Sequence, residues 1–198
     1  MFAVTIDQRG SQTHSDQVPG LLRLLAEVDA CLPFERTAGD EVQGLLCDAD
    51  AVIDAIERTM RSPDWSIGVG IGPVELPLPT SVRAARGPAL VRAREAVEDA
   101  KKSTPVKLAL HAGVPDARGS EIEALMRVVG VVLQRRKPAQ WRVIDAVRQA
   151  ADRAAAAAAL GITVQAVSKS LLTSSEDVVL DVYPLLARLL SEADERSE

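Results

Sequence analysis

Arg36-Thr37-Ala38-Gly39-Asp40-Glu41-Val42-Gln43-Gly44-Leu45-Leu46 reads RTAGDEVQGLL, with strand-like residues on both sides of a glycine and two adjacent acids. Leu32 to Thr37 and Val42 to Leu46 are two short strand candidates, and Ala38-Gly39-Asp40-Glu41 between them makes a tight hairpin. Two uses of the turn stay open. It is either a hairpin with ordinary solvated charges or the metal-binding tip of a nucleotide-handling site.

Upstream of the hairpin, Phe2 to Asp7 alternates as a strand, and Val18, Leu21, Leu22, Leu25 and Val28 recur at helical spacing. Downstream, Val52, Ile53, Ile56 and Met60 mark a helix, and Trp65-Ser66-Ile67-Gly68-Val69-Gly70-Ile71-Gly72 is the clearest strand of the chain. Its large residues fall on odd numbers and glycines fill most of the other face, so a helix backbone or a ligand has room to approach. Ala89, Leu90, Ala93, Ala96, Val97 and Ala100 give a long amphipathic helix, and Val106, Leu108 and Leu110 a last strand. The order β-α-β-β-α-β-α-β predicts an α+β fold, a ferredoxin-like or palm sandwich with helices on one face of a largely antiparallel sheet.

Beyond Gly113-Val114-Pro115-Asp116 everything reads helical, which divides the chain into a palm-like domain over 1–113 and a helical domain over 114–198. Pro184 is expected to kink or divide the last helix. Arg153 to Leu172, RAAAAAALGITVQAVSKSLL, fits a helix-turn-helix. Ala157 is small where two helices cross, Gly161 suits a turn of positive φ, and Thr163 caps the second helix. Ile162 and Val167 are expected in the joint core. Thr163, Val164, Gln165, Ser168 and Lys169 would then face base edges and phosphates of double-stranded DNA. Arg153, Arg135, Arg136 and Lys137 are candidate phosphate contacts beside them. An alanine-rich helical hairpin with no DNA role is the plainer alternative.

The charge distribution bears on this choice. The 198 residues carry a net charge of -5, which argues against general polyanion binding. Arg135 to Leu172, however, holds seven Lys/Arg against two Asp, and Thr173 to the end holds two against seven acids. One reading unit covers little DNA, so a homodimer on two half-sites is expected, with the apolar residues from Val178 to Leu190 available for packing or dimerisation.

Hydrophobic residues make up 47% and aromatics only 3%, so aliphatic side chains and alanine fill the core. Trp65 and Trp141 read as core anchors. Cys31 and Cys47 lie in apolar contexts without a CxxC pattern, and are expected as two reduced, buried thiols of a cytoplasmic protein. His14 and His111 have no ligand pattern, so zinc is not expected. No apolar run reaches membrane-spanning length, and no membrane partner is expected.

A phosphoryl-transfer palm needs carboxylates converging on Mg²⁺, one at the end of the first strand and one at the neighbouring hairpin. Asp7 and Asp40-Glu41 stand in those places, and Gly39 would let backbone approach a phosphate. Ala38-Gly39-Asp40-Glu41-Val42 resembles the GGDEF signature of diguanylate cyclases. The chain is more closely similar to the SatD-like family of small bacterial proteins. The likeness rests on Asp7-Gln8-Arg9-Gly10-Ser11, Gly39-Asp40-Glu41-Val42-Gln43-Gly44, Gly68-Val69-Gly70-Ile71-Gly72 and Gly87-Pro88-Ala89 with Ala93-Arg94-Glu95. It covers about the first 110 residues, with a helix-turn-helix after them.

The resemblance implies Asp7 and Asp40 as metal ligands with Glu41 as partner, and Arg9, Ser11, Arg92 and Arg94 as phosphate contacts. Ala38 stands where the cyclase motif has its first glycine, and the loop after Asp7 lacks the cyclases' second aspartate and lysine. Those departures point to binding of a nucleotide or cyclic dinucleotide rather than turnover. The expected function is a DNA-binding transcriptional regulator whose cyclase-like domain senses that ligand or mediates dimerisation. The alternatives are a Mg-dependent nucleotidyl cyclase or transferase with a regulatory helical module, and a palm that only assembles.

Overall fold

The structure, a computed structural model, describes residues 1–11, 15–113 and 117–197. His14 and the expected boundary at Val114-Pro115-Asp116 lie outside the described residues. The fold is α+β. A five-stranded sheet has the order β2-β3-β1-β4-β5, from β1 (Phe2–Gln8), β2 (Leu32–Arg36), β3 (Glu41–Leu46), β4 (Trp65–Ile71) and β5 (Leu108–His111). β1 pairs antiparallel with both β3 and β4, and β2 antiparallel with β3, whereas β5 joins β4 in parallel.

Strand alternation sorts residues to two faces. Val4 lies opposite Gly44 on one side and Val69 on the other. Phe2, Val4, Ile6, Val42, Ile67 and Val69 pack with α1 (Val18–Leu25) and α2 (Ala49–Thr59) in one apolar core. The other face carries Ala3 and the glycines of β4, and α3 (Pro88–Lys102) lies on it. Helices therefore cover both faces, not one as expected. The reason lies in Gly68 and Gly70. A Cβ on Gly68 would stand 2.2 Å from the Val97 nitrogen, and one on Gly70 2.1 Å from the Ala89 carbonyl oxygen. The glycine face admits a helix backbone, and α3 is the crossover that makes β5 parallel to β4.

The helical half comprises α4 (Ala117–Arg135), α5 (Pro138–Gln149), α6 (Arg153–Leu160), α7 (Val164–Thr173) and α8 (Glu176–Glu195). α8 packs on α2 as well as α4, and α4 packs on β5. Met60 and Ile56 share one core with Met126, Leu133, Leu186 and Leu190, so apolar packing is continuous between the sheet and the helices. The Met1 ammonium also pairs with Asp194 of α8. Pro184 does not divide α8. Its ring is solvent-exposed, and buried Val179, Leu186 and Leu190 on either side hold both segments to the same core. Among the described residues no single helix is long and apolar enough to cross a membrane.

The cysteines correct an expectation. Cys31 and Cys47 form a disulfide with Cα atoms 5.9 Å apart, and Cys47 is exposed rather than buried. Cys31 precedes β2 and Cys47 follows β3, so antiparallel pairing of the hairpin brings the two together.

Candidate functional site

Two surfaces carry the residues singled out by the sequence. The first is one end of the sheet. Gly39, at φ 58°, turns the β2–β3 hairpin, and the Glu41 amide closes it by donating to the Ala38 carbonyl at 2.9 Å. The register sets Asp7 directly opposite Glu41 on β3 and Ser66 on β4. Asp7, Arg9, Ser11, Asp40, Ser66 and Lys101 line a cavity of about 570 Å³. Asp7, Asp40, Arg9 and Ser11 are thus brought together as expected, with Gly39 and Glu41 on the adjoining hairpin.

The charges in this site are partly satisfied by α3. Lys101 Nζ lies 2.9 Å from Asp7 Oδ2 and 2.7 Å from Glu98 Oε1. Arg94 Nη2 lies 3.5 Å from Glu41 Oε1, and Glu41 also accepts from the Thr37 hydroxyl. Burial pushes the Asp7 carboxyl above the usual aspartate value. Lys101 pulls it down, while Asp40 and Glu98 push it further up. Further along α3, Glu98 pairs with Lys101 and Asp99 with Lys102, while Arg94 turns to Glu41.

Among the described residues no three His, Cys, Asp or Glu side chains group to hold a metal, and both facing acids, Asp7 and Glu41, hold a cation from α3. Arg92 also departs from expectation. It donates from Nη1 to the Ile71 carbonyl at 2.6 Å, at the opposite end of β4 from Ser66. α3 runs antiparallel along β4, so Arg92 near its start and Lys101 near its end reach opposite edges of the sheet. Lys101 and Ser66 were missed by sequence reading. Their only signal is topological: the crossover sets the end of α3 over the start of β4 and the end of β1.

The second surface is built by α6 and α7. Asp152 caps α6 by accepting from the Ala155 amide at 2.8 Å. The helix ends at Gly161, φ 65°, where the Ile162 amide donates to Ala157 O at 3.0 Å and the Gly161 amide to Ala158 O at 3.2 Å. Those two bonds make a Schellman stop. Thr163 Oγ1 then caps α7 by accepting from the Ala166 amide at 3.1 Å, and α7 leaves α6 at 103°. Ala157, Val167 and Leu171 are buried with Trp141 and Ile144 of α5. Ile162 is 40% exposed, contrary to expectation, because the stop turns it out of the joint.

Thr163, Val164, Gln165 and Lys169 are exposed and Ser168 is half-buried. Arg135, Lys137 and Arg153 are exposed too. Arg136 is not available to a phosphate. Its side chain is 1% exposed, it donates to the Ser174 carbonyl at 3.0 Å, and its guanidinium lies over the Trp141 ring at 4.7 Å.

Arg136 belongs to a buried network that no motif announced. Glu57 of α2 accepts from Arg148 of α5 and from the Tyr183 hydroxyl of α8. Arg148 also reaches Glu176 at 2.7 Å. Arg136 Nη2 lies 2.9 Å from Glu176 Oε2, close in distance but outside hydrogen-bonding geometry. Arg61 of α2 forms a bidentate pair with Asp145 of α5, at 2.8 Å for both contacts. Burial would raise the Glu57 carboxyl, but Arg148, Tyr183 and Arg61 outweigh it and hold it below the usual glutamate value.

Comparison with family models, with curated proteins and with solved structures returned no match.

Proposed function

We propose that the chain is a DNA-binding transcriptional regulator that reads double-stranded DNA with α7. The observation that carries this reading is the α6–α7 unit. Its helices meet at 103° through a three-residue turn with a left-handed glycine, within the range of helix-turn-helix units. The exposed side chains at the start of α7 suit base edges and phosphates, with Gln165 for an adenine and Lys169 for a guanine or a phosphate. The sheet half acts as a palm-like sensor of a nucleotide or cyclic dinucleotide. Its antiparallel β4-β1-β3-β2 core has the strand order of a ferredoxin-like sandwich, in keeping with the SatD-like resemblance. A homodimer is supported by α8, where Val178 is 63% and Leu185 40% exposed.

The test is a mobility-shift assay against operator-length DNA. Gln165→Ala with Lys169→Ala removes two groups that each contribute about 1–3 kcal/mol of discrimination, so binding should fall by at least about tenfold. A wild-type protein that binds no operator at low salt, with candidate nucleotides present, sinks the reading. One observation favours the alternative of nucleotidyl transfer, the facing of Asp7 and Glu41 beside a cavity. That alternative requires Lys101 to leave Asp7, and it predicts turnover of a nucleoside triphosphate that Asp40→Asn stops.

A further inference from the structure

We propose that a second cleft on the α3-covered face binds the phosphate groups of a small phosphorylated ligand, a nucleoside phosphate in the first instance. The proposal rests on the ligand-sensing part of the function above and is independent of DNA reading. The cleft has a volume of about 470 Å³, within the range of small-molecule sites. It lies on the other side of the hairpin turn from the Asp7 cavity. Thr37 and Ala38 line the cleft, and Asp40 lines the cavity.

Its chemistry is one-sided. Arg83, Arg86 and Arg94 line it, and no carboxylate does. Among the described residues neither Arg83 nor Arg86 has an acidic partner within 4.0 Å, and Arg94 has only Glu41 at 3.5 Å. Glu35, the acid of β2, does not line the cleft and accepts from the Ser81 hydroxyl. Three guanidiniums around one hollow repel one another, and a phosphate oxyanion resolves that repulsion with charge-assisted bonds.

The backbone that carries them is fixed. Ser81 caps the 3₁₀ turn Val82–Ala84 through the Arg83 amide, and the Arg86 carbonyl accepts from the Glu75 amide at 2.8 Å. Gln43, only 3% exposed, lines the cleft from the sheet. Its amide nitrogen donates to Thr5 Oγ1 at 2.8 Å, and among the described residues no donor reaches its oxygen. That oxygen is a ready acceptor for an N–H or O–H of the ligand. Buried Val82 and Leu90 supply an apolar wall for the part of the ligand that carries no charge.

Isothermal titration of the full chain with ATP, GTP, tripolyphosphate and guanosine tests this. The phosphorylated probes should bind and guanosine should not. Arg83→Gln with Arg86→Gln, both at exposed positions, should weaken binding at least about tenfold, and Arg9→Gln less than about twofold. Tighter binding of ATP or GTP than of tripolyphosphate identifies a nucleotide as the source of the phosphates. Equal binding identifies an inorganic polyphosphate. Binding that survives Arg83→Gln with Arg86→Gln but is lost in Arg9→Gln or Lys101→Gln overturns the cleft and moves the ligand to the Asp7 cavity, leaving nucleotide sensing intact. No binding of any probe overturns both.

Discussion

Two clusters of opposite charge tie separate elements together in this molecule, and they behave oppositely. At the junction between sheet and helices, Glu57 and Glu176 meet Arg136 and Arg148, with the Glu57 side chain 3% and Arg136 1% exposed. At the end of the sheet, Asp7 meets Lys101 and Glu41 meets Arg94, beside an open cavity and with Arg94 64% exposed. The deeper carboxyl, Glu57, is held below its usual value, and the shallower one, Asp7, is raised above it. Depth alone would give the reverse order. The difference lies in the partners. Glu57 has a bidentate guanidinium and a phenol, whereas Asp7 has a single ammonium and two neighbouring acids, Asp40 and Glu98. At the junction each carboxylate meets at least one guanidinium, and the cluster works as a lock. At the sheet end a single ammonium faces Asp7 beside an open cavity, and the burial of that carboxyl is not fully offset.

The strongest test of the lock is Glu57→Ala. It leaves Arg148 with one acid and Tyr183 without its acceptor in a buried setting. A loss of about 3–5 kcal/mol in urea unfolding is expected, as for other broken buried pairs. A loss under about 1 kcal/mol would mean that apolar packing of α8 on α2 alone joins the halves.

The same carboxyl gives the next largest effect, in acid. Because its folded value is depressed, its contribution is complete above the ordinary glutamate range and is lost as pH falls through the folded value. The urea midpoint should therefore decline as pH falls below the ordinary glutamate range in the wild type, and less steeply in Glu57→Gln. Parallel declines would place the acid-sensitive group elsewhere.

This comparison also separates what sequence reading reaches from what it does not. The hairpin, the glycine strand and the turn and cap at Gly161 and Thr163 are local, and each falls where spacing put it. Asp7, Asp40, Arg9 and Ser11 could be grouped because one strand pairing brings them together. The ion pairs were not legible. Glu57 and Arg148 are 91 residues apart, and nothing in either neighbourhood names the other. Arg136 looked like part of a basic cluster, yet the turn between α4 and α5 points it inward while Arg135 and Lys137 stay outside. Arg92 and Arg94 are two residues apart on one helix, which puts about 200° between their directions and sends one to each end of the sheet. The disulfide was hidden for a different reason. Its separation of 16 residues carries no motif, and only the hairpin register brings the sulfurs together.

The smallest expected effect probes the cluster at the end of the sheet. Asp7→Asn keeps the shape of the side chain and removes a charge that the fold holds at a cost. Asp7 is raised, so the folded protein binds its proton more readily than the unfolded chain does. The penalty is complete above the folded value, fades as pH falls, and is gone below the unfolded aspartate value near pH 3.9. Asn should therefore stabilise the protein at neutral pH, by less than about 1 kcal/mol given the partial exposure of the site, and the gain should vanish in acid. Lys101→Met should act in the other direction at neutral pH, because it removes the one cation that offsets the burial of Asp7. If Asp7→Asn instead destabilises at neutral pH, the Lys101 pair outweighs burial. The sheet end would then be a second lock, and the contrast with Glu57 would disappear.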